Sequence, residues 1–305
     1  AGFGDFAGDR LSGTAQVNLI PGRLALAHDL ALTGLSSPQG RIARLASEGS
    51  WRGMADGSSG QWDGTLRGTG LNPASDLSAN FAAAERRLAG TLLAPLFVKA
   101  RGAALRALNG ASLRAEGVIR HKGADVALVI PEASIAARGG MRVLALSRLN
   151  AGLRSGEMTG LGGNILLGGA GLPDINGRIE QQRGGSGWTL RAAMADYAAG
   201  ASRLAVPRLT LRAAPSGALA FDGLVTASGD LPGGVVNDLA VPLEGTWSQG
   251  GGLALGTRCT PLRFASLTLS GLSLKGQQVT LCPQGNRPIL AYRDGLTLAA
   301  RTGPL

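Results

Sequence analysis

The chain has 305 residues, 44% hydrophobic but only 4% aromatic, with 49 glycines and a formal net charge of +10. A compact enzyme core takes much of its buried area from Phe, Tyr and Trp; apolar content that is nearly all Leu, Ala and Val favours a thin, extended β-structure. Glycine without a Gly-X-Y period excludes collagen, and regular leucine alternation argues against disorder.

In chain order, strands begin near Thr14. Val17 and Leu19 alternate, Pro21-Gly22 turns the chain, and Leu24, Leu26, Leu30 and Leu32 share one parity. Apolar residues at every second position lie on one face of a strand. His28 falls on the same parity beside Asp29, which reads as a hairpin tip or an exposed position rather than a catalytic pair. Trp51 and Trp62 lie in two strands ending at Leu71. Residues 72–109 differ. Asn72-Pro73 offers an N-cap with proline at the first helical position. Leu77, Phe81, Ala84, Leu88 and Leu92 then recur at helical spacing. Pro95 should break or kink this helix, and Leu96, Val98, Leu105 and Leu108 make a second helical piece. Such a pair covers a sheet, closes the end of a groove or lies on a membrane surface.

Strands resume with Leu113 and Ile119, then Val126, Leu128 and Ile130, then Leu144 with Leu146, Ile165 with Leu167, and Ile175 with Ile179. Further strands carry Trp188 and Leu190, Leu209 and Leu211, Leu219 and Phe221, and Leu239 and Val241. At residues 259–283 the pattern is clearest. Leu267 and Leu269 alternate, Ser270-Gly271 turns, Leu272 and Leu274 continue, and Gly276 breaks the run before Val279 and Leu281. If Ser270-Gly271 is a two-residue turn, Leu269 faces Leu272, Leu267 faces Leu274 and Cys259 faces Cys282. A cross-strand disulfide is then open to the chain and implies an oxidising compartment; two buried free thiols are the alternative. One difficulty stands: in that register Leu262, Phe264, Val279 and Leu281 fall on the face opposite the leucines at the tip.

No catalytic residue emerges. The glycine runs at 160–163 and 168–171 sit in no βαβ pattern, which argues against a dinucleotide or phosphate loop. Acidic residues are scattered, without a close pair for acid–base work. Two distant cysteines and two distant histidines make no metal site, and no cofactor is implied. Lysine occurs only at 99, 122 and 275, so the basic charge is Arg. Arg suits phosphate oxygens, but no basic run is interleaved with aromatics, which argues against nucleic acid. No window reaches the ~18 apolar residues of a membrane span. The chain starts at Ala1 without an initiator Met or signal-like region and ends in strand-like sequence, as expected of a piece of a longer chain.

The segment CTPLRFASLTLSGLSLKGQQVTLCPQG resembles the YdbH-like branch of the AsmA and TamB group of large bacterial envelope proteins. LAPLFVKARGAALRALNG followed by SLRAEGVI is similar to the same family. The likeness covers residues 259–290 and, more weakly, 88–119. It implies a mainly β, elongated, repeating β-groove of antiparallel strands (taco-like), with one helical insert. The segments are 1–71 (groove), 72–110 (insert) and 111–305 (groove). It further implies a non-enzymatic protein, anchored in the inner membrane through parts of the parent chain, that crosses the periplasm and carries phospholipid toward the outer membrane. Acyl chains would lie in an apolar trough, and arginines at the slit would meet the headgroup phosphate. Outer-membrane lipoproteins or other envelope proteins are the implied partners besides phospholipid and membrane.

Lining candidates after the helices are Leu113, Ile119, Val126, Leu128, Ile130, Leu144, Leu146, Ile165 and Leu167. Further on they are Leu190, Leu209, Leu211, Leu219, Phe221, Leu239 and Val241, then Leu267, Leu269, Leu272 and Leu274. Two other readings remain. One is a scaffold for outer-membrane protein assembly acting through a sheet edge. The other is a secreted β-helix or adhesin with a filled interior.

Overall fold

The computed structural model describes residues 2–3, 5–182, 187–293 and 295–302, with residues 2, 3, 75–80, 83 and 296 described by backbone alone. Leu77 of the expected helical face therefore lies outside the described side chains. The fold is mainly β, an antiparallel meander with one helical insert, as the leucine alternation predicts.

The chain divides into two compact units, Ala1–Ala84 with Ala100–Leu172, and Glu85–Lys99 with Pro173–Leu305. The boundary at Leu172/Pro173 falls within residues 111–305, and residues 72–110 contribute to both units. In the first unit, β1 (Gly2–Phe3) pairs with β2 (Phe6–Ala7). β3 (Arg10–Ile20), β4 (Arg23–Ser37), β5 (Gly40–Met54) and β6 (Ser59–Pro73) then pair in sequence. β7 (Ala111–Lys122), β8 (Asp125–Ala136), β9 (Arg142–Arg154) and β10 (Glu157–Leu167) continue the ladder, with β7 directly beside β6 despite the helices between them in sequence.

The helices are α1 (Ser75–Leu88) and α2 (Leu93–Leu108). The Asn72-Pro73 start is corrected: β6 runs through Pro73, which stands opposite Gly40. The expected break at Pro95 is corrected too. Pro95 sits in the first turn of α2, where no helical acceptor awaits its missing N–H. The break falls at Gly90, whose φ of +75° few other residues take cheaply. Thr91 then caps the second helix, its Oγ1 accepting the Leu93 N–H at 3.3 Å.

In the second unit, β11 (Ile175–Gln181), β12 (Trp188–Ala199), β13 (Ser202–Ala213), β14 (Leu219–Leu231) and β15 (Gly234–Ser248) follow as a meander. One edge of β15 then forks. Its residues 245–248 pair with β16 (Gly252–Leu255), while residues 234–240 pair with β17 (Thr260–Leu269). Pro242, which has no N–H to give, sits in the gap between the two partners. β17 pairs with β18 (Leu272–Pro283), and β16 with β19 (Leu290–Tyr292). β19 pairs with β20 (Leu296–Leu298), and β18 with β21 (Ala300–Thr302). Ala299 joins the two branches, donating to Ile289 O at 2.9 Å and accepting from Gln284 N at 3.1 Å. The result is a closed circuit of strands, β15–β16–β19–β20–β21–β18–β17–β15. Gly256 marks the fork with φ +67°, and a Cβ there would stand 2.7 Å from Ile289 Cδ1. Its N–H donates to Glu244 O at 2.9 Å and its carbonyl accepts from Ile289 N at 3.0 Å.

The main buried cluster belongs to the second unit. Leu92, between the helices, packs with Ala227, Val236 and Phe264, flanked by Leu204, Leu239 and Leu267. Leu92 therefore seats on the apolar face of the β13–β18 sheet. Lys99 adds a polar tie, donating to Ala198 O at 2.7 Å with its Nζ 4.7 Å from the Tyr197 ring centre.

Candidate functional site

Residues directly opposite each other in an antiparallel ladder point to the same side of the sheet, so the registers assign every side chain to a face. In the first unit, one cross-strand row runs Val17, Leu26, Trp51, Trp62, Ile119 and Leu128. A second runs Leu11, Leu32, Leu45, Gly68 and Leu113, then on through Ile135 and Leu144 to Leu167. A third contains Leu30, Leu66, Leu146 and Ile165, and Val126 and Ile130 flank Leu128 on the same parity. All nine lining candidates of this unit thus share one face.

The second unit repeats the result. Ile179, Leu190, Leu211 and Phe221 form one row, and Trp188, Ala213, Leu219 and Trp247 another. Leu209 lies opposite Gly223, which faces Leu243; Val225 faces Val241 and Ala227 faces Leu239. Val236 faces Leu267, Leu267 faces Leu274, and Leu269 faces Leu272. The eleven remaining candidates therefore also lie on one face.

The glycines keep these rows in phase. In β4, β5 and β6 the ladders skip Gly34, Ala43 and Gly70 together, with φ of +65° and +70° at the two glycines. Leu35, Ile42 and Leu71 thereby return to the apolar face after the alternation slips by one. There they line a cavity of about 320 Å³ with Leu108, so the end of α2 meets the apolar face of this unit. The same device answers the difficulty at residues 259–283. The β17–β18 ladder skips Ala265 and Gly276, which would face each other, and Gly276 has φ +58°. Both strands switch parity at once, the register is kept, and Phe264 joins Leu267 in one cluster. Cys259 and Cys282 form the disulfide, with an S–S distance of 2.03 Å. Cys282 follows Leu281 and so lies on the face behind it.

Burial distinguishes this face from a packed interior. Of the twenty candidates sixteen are half-buried, and Ile119, Val126, Leu269 and Leu272 are 38–52% exposed. Two layers packed face to face would bury inward side chains fully. Sequence reasoning missed contributors to the face that parity alone reveals: all four tryptophans (51, 62, 188 and 247) and Leu45 and Leu66.

The opposite face is polar, with ion pairs Arg67–Glu48 at 3.6 Å, Arg114–Glu116 at 2.8 Å and Arg142–Glu132 at 3.5 Å. In the second unit Glu180 accepts from Arg191 and stands 2.6 Å from Arg178. The Arg191 hydrogen bond, then the Arg178 charge, lowers its pKa from the ordinary glutamate value. These five arginines lie on the face away from the leucine rows. His28 is also corrected: it is half-buried in mid-strand, its Nε2 2.9 Å from Ser47 Oγ and its ring 6.5 Å from that of Trp62. Asp29 points to the other face, so the two make no catalytic pair. Among the described residues no cluster of His, Cys, Asp and Glu is arranged to hold a metal ion, and no helix is long and apolar enough to cross a membrane.

No protein-family model matches the chain, and no curated protein or solved structure matches it.

Proposed function

We propose that this chain is a non-enzymatic segment of a phospholipid carrier, shielding acyl chains along its apolar faces. The observation that carries the reading is the gathering of all twenty lining candidates onto one face of each unit while none is fully buried. Each methylene removed from water is worth about 0.8 kcal/mol. A sixteen-carbon tail lying half-covered on such a face thus gains roughly 6 kcal/mol. Leucine, valine and alanine offer that area without directional chemistry, so a tail slides without a fixed site. The resemblance of residues 259–290 to YdbH-like proteins points the same way. It implies a parent protein in the periplasm, tethered to the bacterial inner membrane, with phospholipid, membrane and envelope proteins as partners. A disulfide fits that oxidising compartment.

The test is native mass spectrometry with lipid extraction on protein purified from a bacterial periplasm. Phospholipid at a stoichiometry of one or more, lost in Leu128→Asp and Leu167→Asp, is the expected result. A folded, lipid-free protein under gentle conditions overturns the reading.

One observation favours a scaffold acting through its sheet edge. Among the described residues β3 pairs with β4 alone, and its Leu11, Val17 and Leu19 are 65–69% exposed. An unpaired, apolar edge invites another strand. A photo-crosslinker at Val17 that captures protein rather than lipid supports this second reading; capture of lipid alone removes it.

A further inference from the structure

The circuit of strands in the second unit borders a pocket of about 220 Å³ that is open on one side. Val241, Leu243, Leu255, Leu262, Leu281 and Leu290 are among its twelve lining residues, of which only Glu244 and Thr260 have polar side chains. The cavity exists because β15 forks. On the edge of β15 away from β14, among the described residues, no strand pairs with residues 241–244 between the β17-paired and β16-paired halves, and the two branches, rejoined at Ala299, wall the opening. Phe221 and Leu255 meet over Gly245, where a Cβ would stand 2.6 Å from the Phe221 ring and 2.8 Å from Leu255. The disulfide lies behind this wall, one residue from both Thr260 and Leu281.

We propose that this ring is a terminal seat for a single hydrocarbon chain, taking the methyl end of a straight alkyl or acyl tail. The inference rests on the lipid-carrying reading, because Val241 and Leu255 belong to the same apolar face. It adds a place where a tail stops. An apolar cavity of about 150 Å³ stays dry and takes up benzene. Scaled from benzene's six carbons, about 220 Å³ holds roughly nine carbons. One chain end fits that volume, whereas a diacyl lipid's two tails do not. With few polar side chains in the lining, a headgroup finds no replacement for its water there, so the tail enters and the headgroup stays outside. A saturated chain gains about fourfold in affinity per buried methylene, which makes the seat selective for chain ends over small apolar solutes.

The experiment uses a ten-carbon fatty acid with a diazirine at its methyl end, and in parallel a diacyl phospholipid in vesicles carrying the same group on one tail. Crosslinked peptides are mapped by mass spectrometry on the full chain, in competition with unlabelled decanoate. Saturable labelling within residues 241–262 and 279–298, reduced at least tenfold in Leu262→Trp, is the expected result. Val241→Phe serves as a second filling variant, and alkylation mass and circular dichroism confirm that each retains its disulfide and strands. Labelling by the acid alone assigns the seat to free fatty acid; labelling by both assigns it to phospholipid tails as well. Labelling confined to the first unit around Leu128 overturns the seat and leaves lipid carriage standing. Labelling of the ring alone keeps the seat and removes lipid carriage from the first unit. Labelling of neither overturns both.

Discussion

Replacing Cys259 and Cys282 by serine tests whether the ring is held by its ladders or by its covalent bond. The bond joins residues 23 apart in sequence. On the loop-entropy relation such a link costs the unfolded chain about 11 cal/mol/K, or about 3.4 kcal/mol at 25 °C. In the folded protein the neighbouring pairs Thr260–Leu281, Pro261–Thr280 and Leu262–Val279 belong to a ladder that does not need the sulfurs. The loss should therefore lie in the unfolded state, with strand content unchanged. Urea unfolding read by Trp188 and Trp247, in a background with Trp51 and Trp62 replaced by Phe, isolates the second unit. With urea slopes of about 1–3 kcal/mol/M the midpoint should fall by roughly 1–3 M. A shift equivalent to under 1 kcal/mol, or a loss of strand signal before urea is added, would refute this division between ladder and bond.

Three further expectations follow from the same faces. Because all four tryptophans lie on the apolar face, a phospholipid with brominated acyl chains should quench their emission, while headgroup-labelled quencher in the same vesicles should not; equal quenching by both contradicts the face assignment. Phe264→Ala removes the side chain that packs with Leu92 and should cost about 3–5 kcal/mol, measured by chemical unfolding; a cost below 1 kcal/mol would show that Leu92 is not anchored there. Glu180 titrates below the ordinary glutamate value of 4.5, chiefly through its hydrogen bond from Arg191. A depressed folded pKa means its stabilising effect is complete above the unfolded value and lost as pH falls through the folded one. Carboxyl NMR should show Arg191→Gln raising this pKa more than Arg178→Gln; the reverse order would contradict the geometry.

The strands were legible because leucine alternates with small polar residues, and the Ser270-Gly271 hairpin was legible to the residue. Both of its turn residues have positive φ, 48° and 88°, as the strand twist favours. The face assignment near residues 259–283 was not legible, because alternation counts residues and a skipped pair is invisible until both strands are aligned. Gly276 signalled a break, but only the matching skip at Ala265 shows that the register survives it. Arg148 and Asp238, with φ +53° and +52°, accompany similar switches in β9 and β15, and neither residue type announces a bulge in sequence. Pro95 misled for a different reason: proline breaks a helix interior but suits its first turn. The ring escaped notice because β16, β19, β20 and β21 have only three or four residues each, too few for periodicity to register.

Adjacent residues on opposite faces give the most direct test of the central claim. A photo-reactive benzoylphenylalanine at Leu128 faces the apolar side, and one at Ala127, which pairs with Arg120 and Gly152, faces the polar side. In cells grown with radiolabelled phosphate, irradiation should attach labelled phospholipid to the protein carrying the probe at 128 and leave the protein with the probe at 127 unlabelled. Equal labelling at both positions, or none at 128 in a folded protein, contradicts lipid carriage on this face.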